Sequence, residues 1–293
     1  MIIVKITAGL GNQMFQYALG RRISYINNTP LILDINNYSI SLATPRKYML
    51  HIFNIKEKFT FFNKIPRKKP LRLLRRYTDN LINYYRKSIL KLSYIKEKHF
   101  HFDPAILTLK DNVYLEGHWQ SEKYFYDISD IIRKDFTFKK EPDNINRKMI
   151  EKISNTNSVC VHVRRGDYVS NPAVAEKHGI CSNEYYNTCI NFIKEKVSNP
   201  HFFIFSDDPE WAQINIKPDY QATYINHNGS DKDYEDMRLM IHCKHFIIAN
   251  SSFSWWGAWL GEYSDKLVLA PEKWFNTKEL DIKDIIPDRW IRV

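Results

Sequence analysis

The chain has 293 residues, 44% hydrophobic and 26% charged, with only 9 glycines and 12 prolines. That balance excludes a fibrous or disordered protein and leaves room for two ordinary α/β domains. Its four cysteines, Cys160, Cys181, Cys189 and Cys243, form no Cys-x-x-Cys and show no metal-ligand spacing, which argues against a zinc site or disulfide framework and for a reducing cytosol.

The net charge of +10 is local, because residues 64–98 hold 12 Lys or Arg against only Asp79 and Glu97. Within that segment Leu71, Leu74, Leu81, Ile82, Tyr85, Ile89 and Leu92 recur at helical spacing, with Arg72, Arg76, Arg86 and Lys87 between them. This pattern reads as a basic amphipathic helix. It would either dock with its charges solvated or make peripheral contact with an anionic membrane face or a lipid-linked substrate. Nucleic acid fits less well, since no binding module accompanies the charge.

Taken in order, the chain starts with a strand over 2–6, without a signal-peptide cleavage region or a membrane-spanning apolar stretch. Thr7-Ala8-Gly9-Leu10-Gly11-Asn12-Gln13 then joins it to a helix over 12–26. Gly9 and Gly11 would let an anionic group approach the helix N-terminus. A dinucleotide fingerprint would need a third glycine where Met14 stands, although Asp34, closing a strand over 31–35, falls where a ribose-binding acid would. A dinucleotide-binding oxidoreductase is therefore an alternative on this loop alone.

Further strands are predicted over 113–116, 159–163, 202–205, 223–225, 246–249 and 267–269, alternating with helices over 121–133, 144–153, 183–197, 232–243 and 254–263. The alternation predicts an α/β chain of two Rossmann-type domains with mostly parallel sheets. The charged, proline-containing stretch 139–142 marks the boundary between domains of residues 1–140 and 141–293. The tail over 281–293 is expected to pack back on the N-terminal domain.

Three strand ends carry chemistry. His162-Val163-Arg164-Arg165-Gly166-Asp167-Tyr168 follows a buried-strand pattern, and two guanidiniums at a strand end make an anion socket suited to a diphosphate. Ser206-Asp207-Asp208-Pro209 puts carboxylates at another carboxyl edge, where an Asp can accept the N1 and N2 protons of guanine; either Asp could instead cap the helix after Pro209. Asn250-Ser251-Ser252-Phe253-Ser254-Trp255-Trp256 combines more hydroxyls than one cap needs with a helix N-terminus, a phosphate-binding combination. Trp255, Trp256 and Trp259 read as core. Asp231-Lys232-Asp233 matches the Asp-x-Asp of metal-dependent transferases but sits in a polar turn before a helix, as capping acids do.

In this order the segments resemble the family 11 glycosyltransferases, the α-1,2-fucosyltransferases that use GDP-fucose. The resemblance is carried by residues 9–17, Gly117-His118-Trp119-Gln120-Ser121-Glu122-Lys123-Tyr124-Phe125, residues 162–168, residues 250–260 and Pro287-Asp288-Arg289-Trp290. It is weak over 38–110. It implies a GT-B-like fold with the donor on the C-terminal domain, an acceptor reached from the N-terminal one, inversion, and no metal or other cofactor. By position Arg164 would hold the β-phosphate and Arg165 support it. His162 and one of Asp207 or Asp208 would read the guanosine, Asp167 would also bind the donor, Ser251, Ser252 and Ser254 would surround the diphosphate, and Asn12 would face the fucose. Gly9 and Gly11 would bind the donor from the same loop as Asn12. Asp34, Glu116 and His118 are the candidates for the base at the acceptor, a galactose-containing and in one form lipid-linked oligosaccharide of a surface glycan. Ala8 stands where a glycine is common and His118 where a tyrosine is common. The expected location is the cytoplasm, with peripheral contact at the inner membrane face through 64–98. A transferase of the same fold with another nucleotide sugar is the nearest alternative.

Overall fold

The computed structural model describes residues 1–39, 46–56, 58–59, 91–229, 231–277 and 280–293. Residues 60–90, which hold most of the basic segment and of its expected helix, lie outside the described residues. The chain divides into two compact units, Met1–Lys139 and Lys140–Val293.

The first unit is built on four parallel strands, β1 (Ile2–Lys5), β2 (Leu31–Asp34), β3 (Ser93–Lys96) and β4 (Val113–Glu116), in the order β2-β1-β4-β3. Helix α1 (Leu10–Ile26) crosses back from β1 to β2. Gly20 is the packing point, because a Cβ there would lie 2.3 Å from Val4. The continuous apolar run of β1 suits a central strand. β3 is not among the strands predicted from the sequence. It is a short, polar edge strand within the basic stretch, and hydrophobic periodicity carries little signal there. The helix expected over 121–133 is two short 3₁₀ turns, Glu122–Tyr124 and Tyr126–Ile128, followed by α2 (Ser129–Asp135). Phe125 separates the turns with φ −147° and ψ 11°, and it is fully buried.

The second unit opens with α3 (Asn144–Ser154) and contains six parallel strands: β5 (Asn157–Val163), β6 (Pro200–Ser206), β7 (Ala222–Ile225), β8 (His245–Ile247), β9 (Val268–Ala270) and β10 (Ile291–Arg292). Their order is β10-β9-β8-β5-β6-β7. The tail supplies the edge strand β10 of this sheet, which is likewise not among the predicted strands. Helices α4 (Gly166–Ser170), α5 (Pro172–His178), α6 (Asn183–Lys196), α7 (Pro209–Asn215), α8 (Asp233–Met240) and α9 (Ser252–Leu260) complete it. Trp255, Trp256 and Trp259 are core residues with at most 1% exposure. Trp290 packs on Trp255 at 5.4 Å, and the Trp255 indole donates to the Ile285 carbonyl at 2.7 Å.

From β5 the chain runs through β6 to β7 on one side of the sheet and then returns to place β8 on the other side of β5. A parallel sheet whose order reverses in this way opens a crevice outside the carboxyl ends of the two central strands, the usual ligand position in open α/β sheets. The arginine pair follows β5 and the Asn250–Ser252 turn follows β8.

Candidate active site

Register explains how the first three motifs meet. His162 and Val163 lie beside Phe205 and Ser206 in the β5–β6 ladder, so Arg164 and Arg165 emerge next to Asp207 and Asp208. Arg164 Nη1 is 2.8 Å from Asp207 Oδ2, and Asp207 Oδ1 accepts the Arg165 backbone N–H at 2.7 Å. Arg165 Nε donates to Asp208 at 3.2 Å, and its guanidinium lies 3.9 Å over the Trp211 ring. Asp208 also caps α7 by accepting from Trp211 N–H. Both aspartates, one of them expected to read guanine, pair with guanidiniums in this structure, and Asp208 also fills the capping role that is the alternative for either. Gly166 is required by close approach, since a Cβ there would fall 2.4 Å from Asp207 Oδ2.

His162 is 5% exposed, and its Nδ1 has no hydrogen-bond partner among the described residues. Burial first, and then the neighbouring Arg164 charge, pull the imidazole down to about 3. It is a neutral ring beside a fixed positive charge. Asp167 is the second residue of α4, and its side chain lies outside the described set.

The β8 turn is more structural than its hydroxyl count suggests. Ser251 caps α9 through Phe253 N–H. Ser254, 1% exposed, donates to the Ala249 and Ser251 carbonyls. Asn250 Nδ2 donates to the His178, Gly179 and Trp274 carbonyls. Ser252 is half-buried in the first turn of α9. Tyr168 Oη bonds the Asn250 carbonyl at 3.3 Å, tying the arginine loop to this turn, and its ring lies 5.2 Å from the Arg164 guanidinium.

In the first unit the glycine turn is held by amides. Gln16 accepts from Thr7 N–H and donates to the Thr7 hydroxyl and the Gly117 carbonyl; Gln13 donates to the Ala8 and Lys47 carbonyls and accepts from Met49 N–H. Both glutamines are fully buried. Ala8 has φ 64°, the left-handed region that explains why glycine suits this position. Among the described residues, a Cβ at Gly9 would meet nothing within 4 Å. Gly11 is buried inside α1, while Asn12 at the helix start accepts from Gln120.

The three base candidates differ sharply. Asp34 is 3% exposed and is occupied by Tyr114 and Asn36. Glu116 accepts from Lys5 at 2.8 Å and from Tyr94. Burial pushes its carboxyl up, but the Lys5 and Tyr94 bonds and the Lys5 and Lys96 charges outweigh that and hold it below its ordinary value. His118 is exposed. A fourth group, Glu97, was not anticipated. It lines with Glu116 and His118 a cleft of about 310 Å³ at the carboxyl edge of the sheet, and burial raises its carboxyl against two opposing backbone hydrogen bonds. No motif flagged it, because its strand was not legible.

Two parallel α/β units, one with paired arginines at its crevice and one with a glycine turn, are the parts of a GT-B-like fold. Residues 1–293 match the profile of Glycosyl transferase family 11, and the chain belongs to that family. It is 37% identical to the alpha-1,2-colitosyltransferase of Escherichia coli over 100% of this chain and 99% of that one. It is 32% identical to the Escherichia coli O-antigen biosynthesis glycosyltransferase WbnK over 98% and 99%. The crystal structure of fucosyltransferase NodZ from Bradyrhizobium aligns at 14% identity over 88% of this chain and 91% of that one, with a TM-score of 0.48.

Proposed function

We propose that this glycosyltransferase moves L-fucose from GDP-β-L-fucose to the 2-hydroxyl of a galactoside in an O-antigen or similar surface-glycan precursor, with inversion and without a metal. The observation that carries the reading is the Arg164–Arg165 pair, oriented by Asp207 and Asp208 at the crevice between β5 and β8. Cleaving the sugar–diphosphate bond develops negative charge on the β-phosphate, and preorganised guanidiniums with the N–H groups of the α9 N-terminus stabilise it electrostatically. Neutral His162 offers a ring nitrogen to the donor without adding positive charge. The acceptor hydroxyl attacks from the opposite face and turns a β-linked donor into an α-linked product, its proton passing to a base. The acceptor is a lipid-linked oligosaccharide at the cytoplasmic face of the membrane.

A second donor, GDP-colitose, is favoured by the 37% identity to a colitosyltransferase over the whole chain; colitose is fucose without its 3-hydroxyl. The deciding experiment incubates the protein with GDP-fucose or GDP-colitose and lactose, with and without EDTA. Fucosyl-lactose formed equally well in EDTA is expected. Transfer of colitose alone would reassign the donor, and loss of turnover on chelation, restored by manganese, would overturn the metal-free reading. A larger thermal shift with NAD than with GDP would point to the dinucleotide alternative.

A further inference from the structure

The described part of the first unit holds a cleft at the carboxyl edge of its sheet, bounded by Lys5 and Thr7 at the end of β1, Lys96 and Glu97 at the end of β3, and Glu116 and His118 at the end of β4. Its two lysines and two carboxylates balance. A lining of balanced charge gives no net attraction to a phosphate or other anion, whereas carboxylates that accept and ammonium and imidazole groups that donate are the pattern that recognises a neutral polyol. At about 310 Å³ the cleft lies in the size range of small-molecule sites.

Glu97 shapes this cleft. Its carboxylate accepts the backbone N–H of His118 at 2.7 Å and of Trp119 at 2.9 Å. Trp119 sits in the left-handed region at φ 56°, where a bulky residue stays only if its surroundings hold it. A Cβ on Gly117 would lie 2.4 Å from Glu97 Cβ, so the carboxylate reaches these N–H groups only because that residue is glycine. The far side of the turn is fastened as well, by Gln16 to the Gly117 carbonyl and by Gln120 to Asn12.

We propose that Glu97 is a positioning residue that presents His118 in a cleft for a neutral sugar, the terminal galactose of the acceptor. This rests on the galactoside part of the proposed function and not on the donor. Glu97 holds the turn by its two oxygens, His118 and Glu116 meet sugar hydroxyls, and exchange of Glu97 for an amide removes one of two accepting oxygens while keeping shape.

The test is saturation-transfer NMR of the full-length protein with methyl β-D-galactopyranoside, alongside GDP affinity by calorimetry and amide exchange at His118 and Trp119. The wild-type protein is expected to saturate the galactose ring protons. Glu97→Gln should weaken galactoside affinity about tenfold, speed exchange at both amides, and leave GDP affinity unchanged, which a general loss of structure would not do. His118→Ala should weaken galactoside affinity while leaving the Trp119 amide protected, and it serves as the decisive variant where Glu97→Gln does not fold. Absence of saturation in the wild-type protein, or galactoside affinity retained by either folded variant, would overturn the inference. Failure of GDP to bind while galactose does would instead strike the donor reading alone.

Discussion

At the end of β5 the side chains able to grip an anion are held by opposite charges, Arg164 on Asp207 and Arg165 on Asp208. At the end of β1 the turn is held by neutral amides, with Gln13 and Gln16 bonding backbone and hydroxyl groups. An ion pair whose side chains are 21% and 26% exposed adds little stability but leaves a guanidinium that, in the proposed reaction, would exchange or share its carboxylate with a diphosphate. Buried amides satisfied on both sides exchange nothing and hold a shape. Within one chain, one crevice is thus built to handle charge and the other to stay rigid.

The comparison is broken most decisively at Arg164. Lysine keeps the charge but not the planar two-donor fork, so Arg164→Lys should lower kcat by 10² to 10³, a loss of roughly 3 kcal/mol or more of transition-state stabilisation, with the protein still folded. A folded variant retaining more than about a tenth of normal turnover would return Arg164 to a surface ion pair.

At the rigid crevice the effect should be on stability. Gln16→Leu leaves the Thr7 N–H and the Gly117 carbonyl without their partner and should cost about 3 kcal/mol. Urea unfolding followed by far-UV circular dichroism measures it. A loss no larger than that of an average surface substitution would show that water or a neighbour replaces the amide.

Within the second unit, two buried groups should respond to protons with opposite signs. His162 is lowered by burial and Arg164 from 6.5 to about 3, so its contribution is present above pH 6.5 and is lost as pH falls toward 3, where the unfolded chain takes up a proton that the folded one refuses. Asp236 has the opposite sign. Burial, helped by Asp233 and Glu235 and opposed by the Asn228 bond, raises it from 3.8 to about 7, so its contribution is present below pH 3.8 and lost as pH rises through 7. Stability measured from pH 4 to 8 should therefore fall more steeply with pH in His162→Gln and rise with pH in Asp236→Asn. Parallel curves for the two variants would contradict this assignment.

The smallest effect is expected at Ala8. Its φ of 64° costs a residue bearing a Cβ more than it costs glycine, so Ala8→Gly should raise stability by about 1 kcal/mol or less, offset in part by the freer unfolded chain. A decrease would mean that the Ala8 methyl packs more than its turn conformation costs.

The central strands and the arginine pair were legible because their signals are local: apolar runs of strand length, followed by residues whose chemistry does not depend on neighbours. The role of the Trp255–Trp259 helix as core was legible for the same reason, through its concentrated apolar bulk. What was not legible depends on register or on backbone geometry. Asp207 and Asp208 look available in sequence, and only the pairing of Val163 with Ser206 sets them against the arginines. The hydroxyl of Ser254 is spent on carbonyls created by the turn that it follows. Glu97 acquires its role from two N–H groups about twenty residues away, at the end of an edge strand hidden in a lysine-rich run.

The tryptophans have a spectroscopic consequence. Trp119 is the one tryptophan of the first unit, and the other six, including the stacked group around Trp255, lie in the second. Intrinsic emission is therefore dominated by one half of the molecule, and energy passing among those indoles makes that half report as a single emitter. A melting curve read at tryptophan wavelengths would record the arginine-bearing unit and remain nearly blind to loosening of the glycine turn. A tyrosine-sensitive or backbone-sensitive signal would see both, and a gap between the two curves would reveal whether the halves melt together.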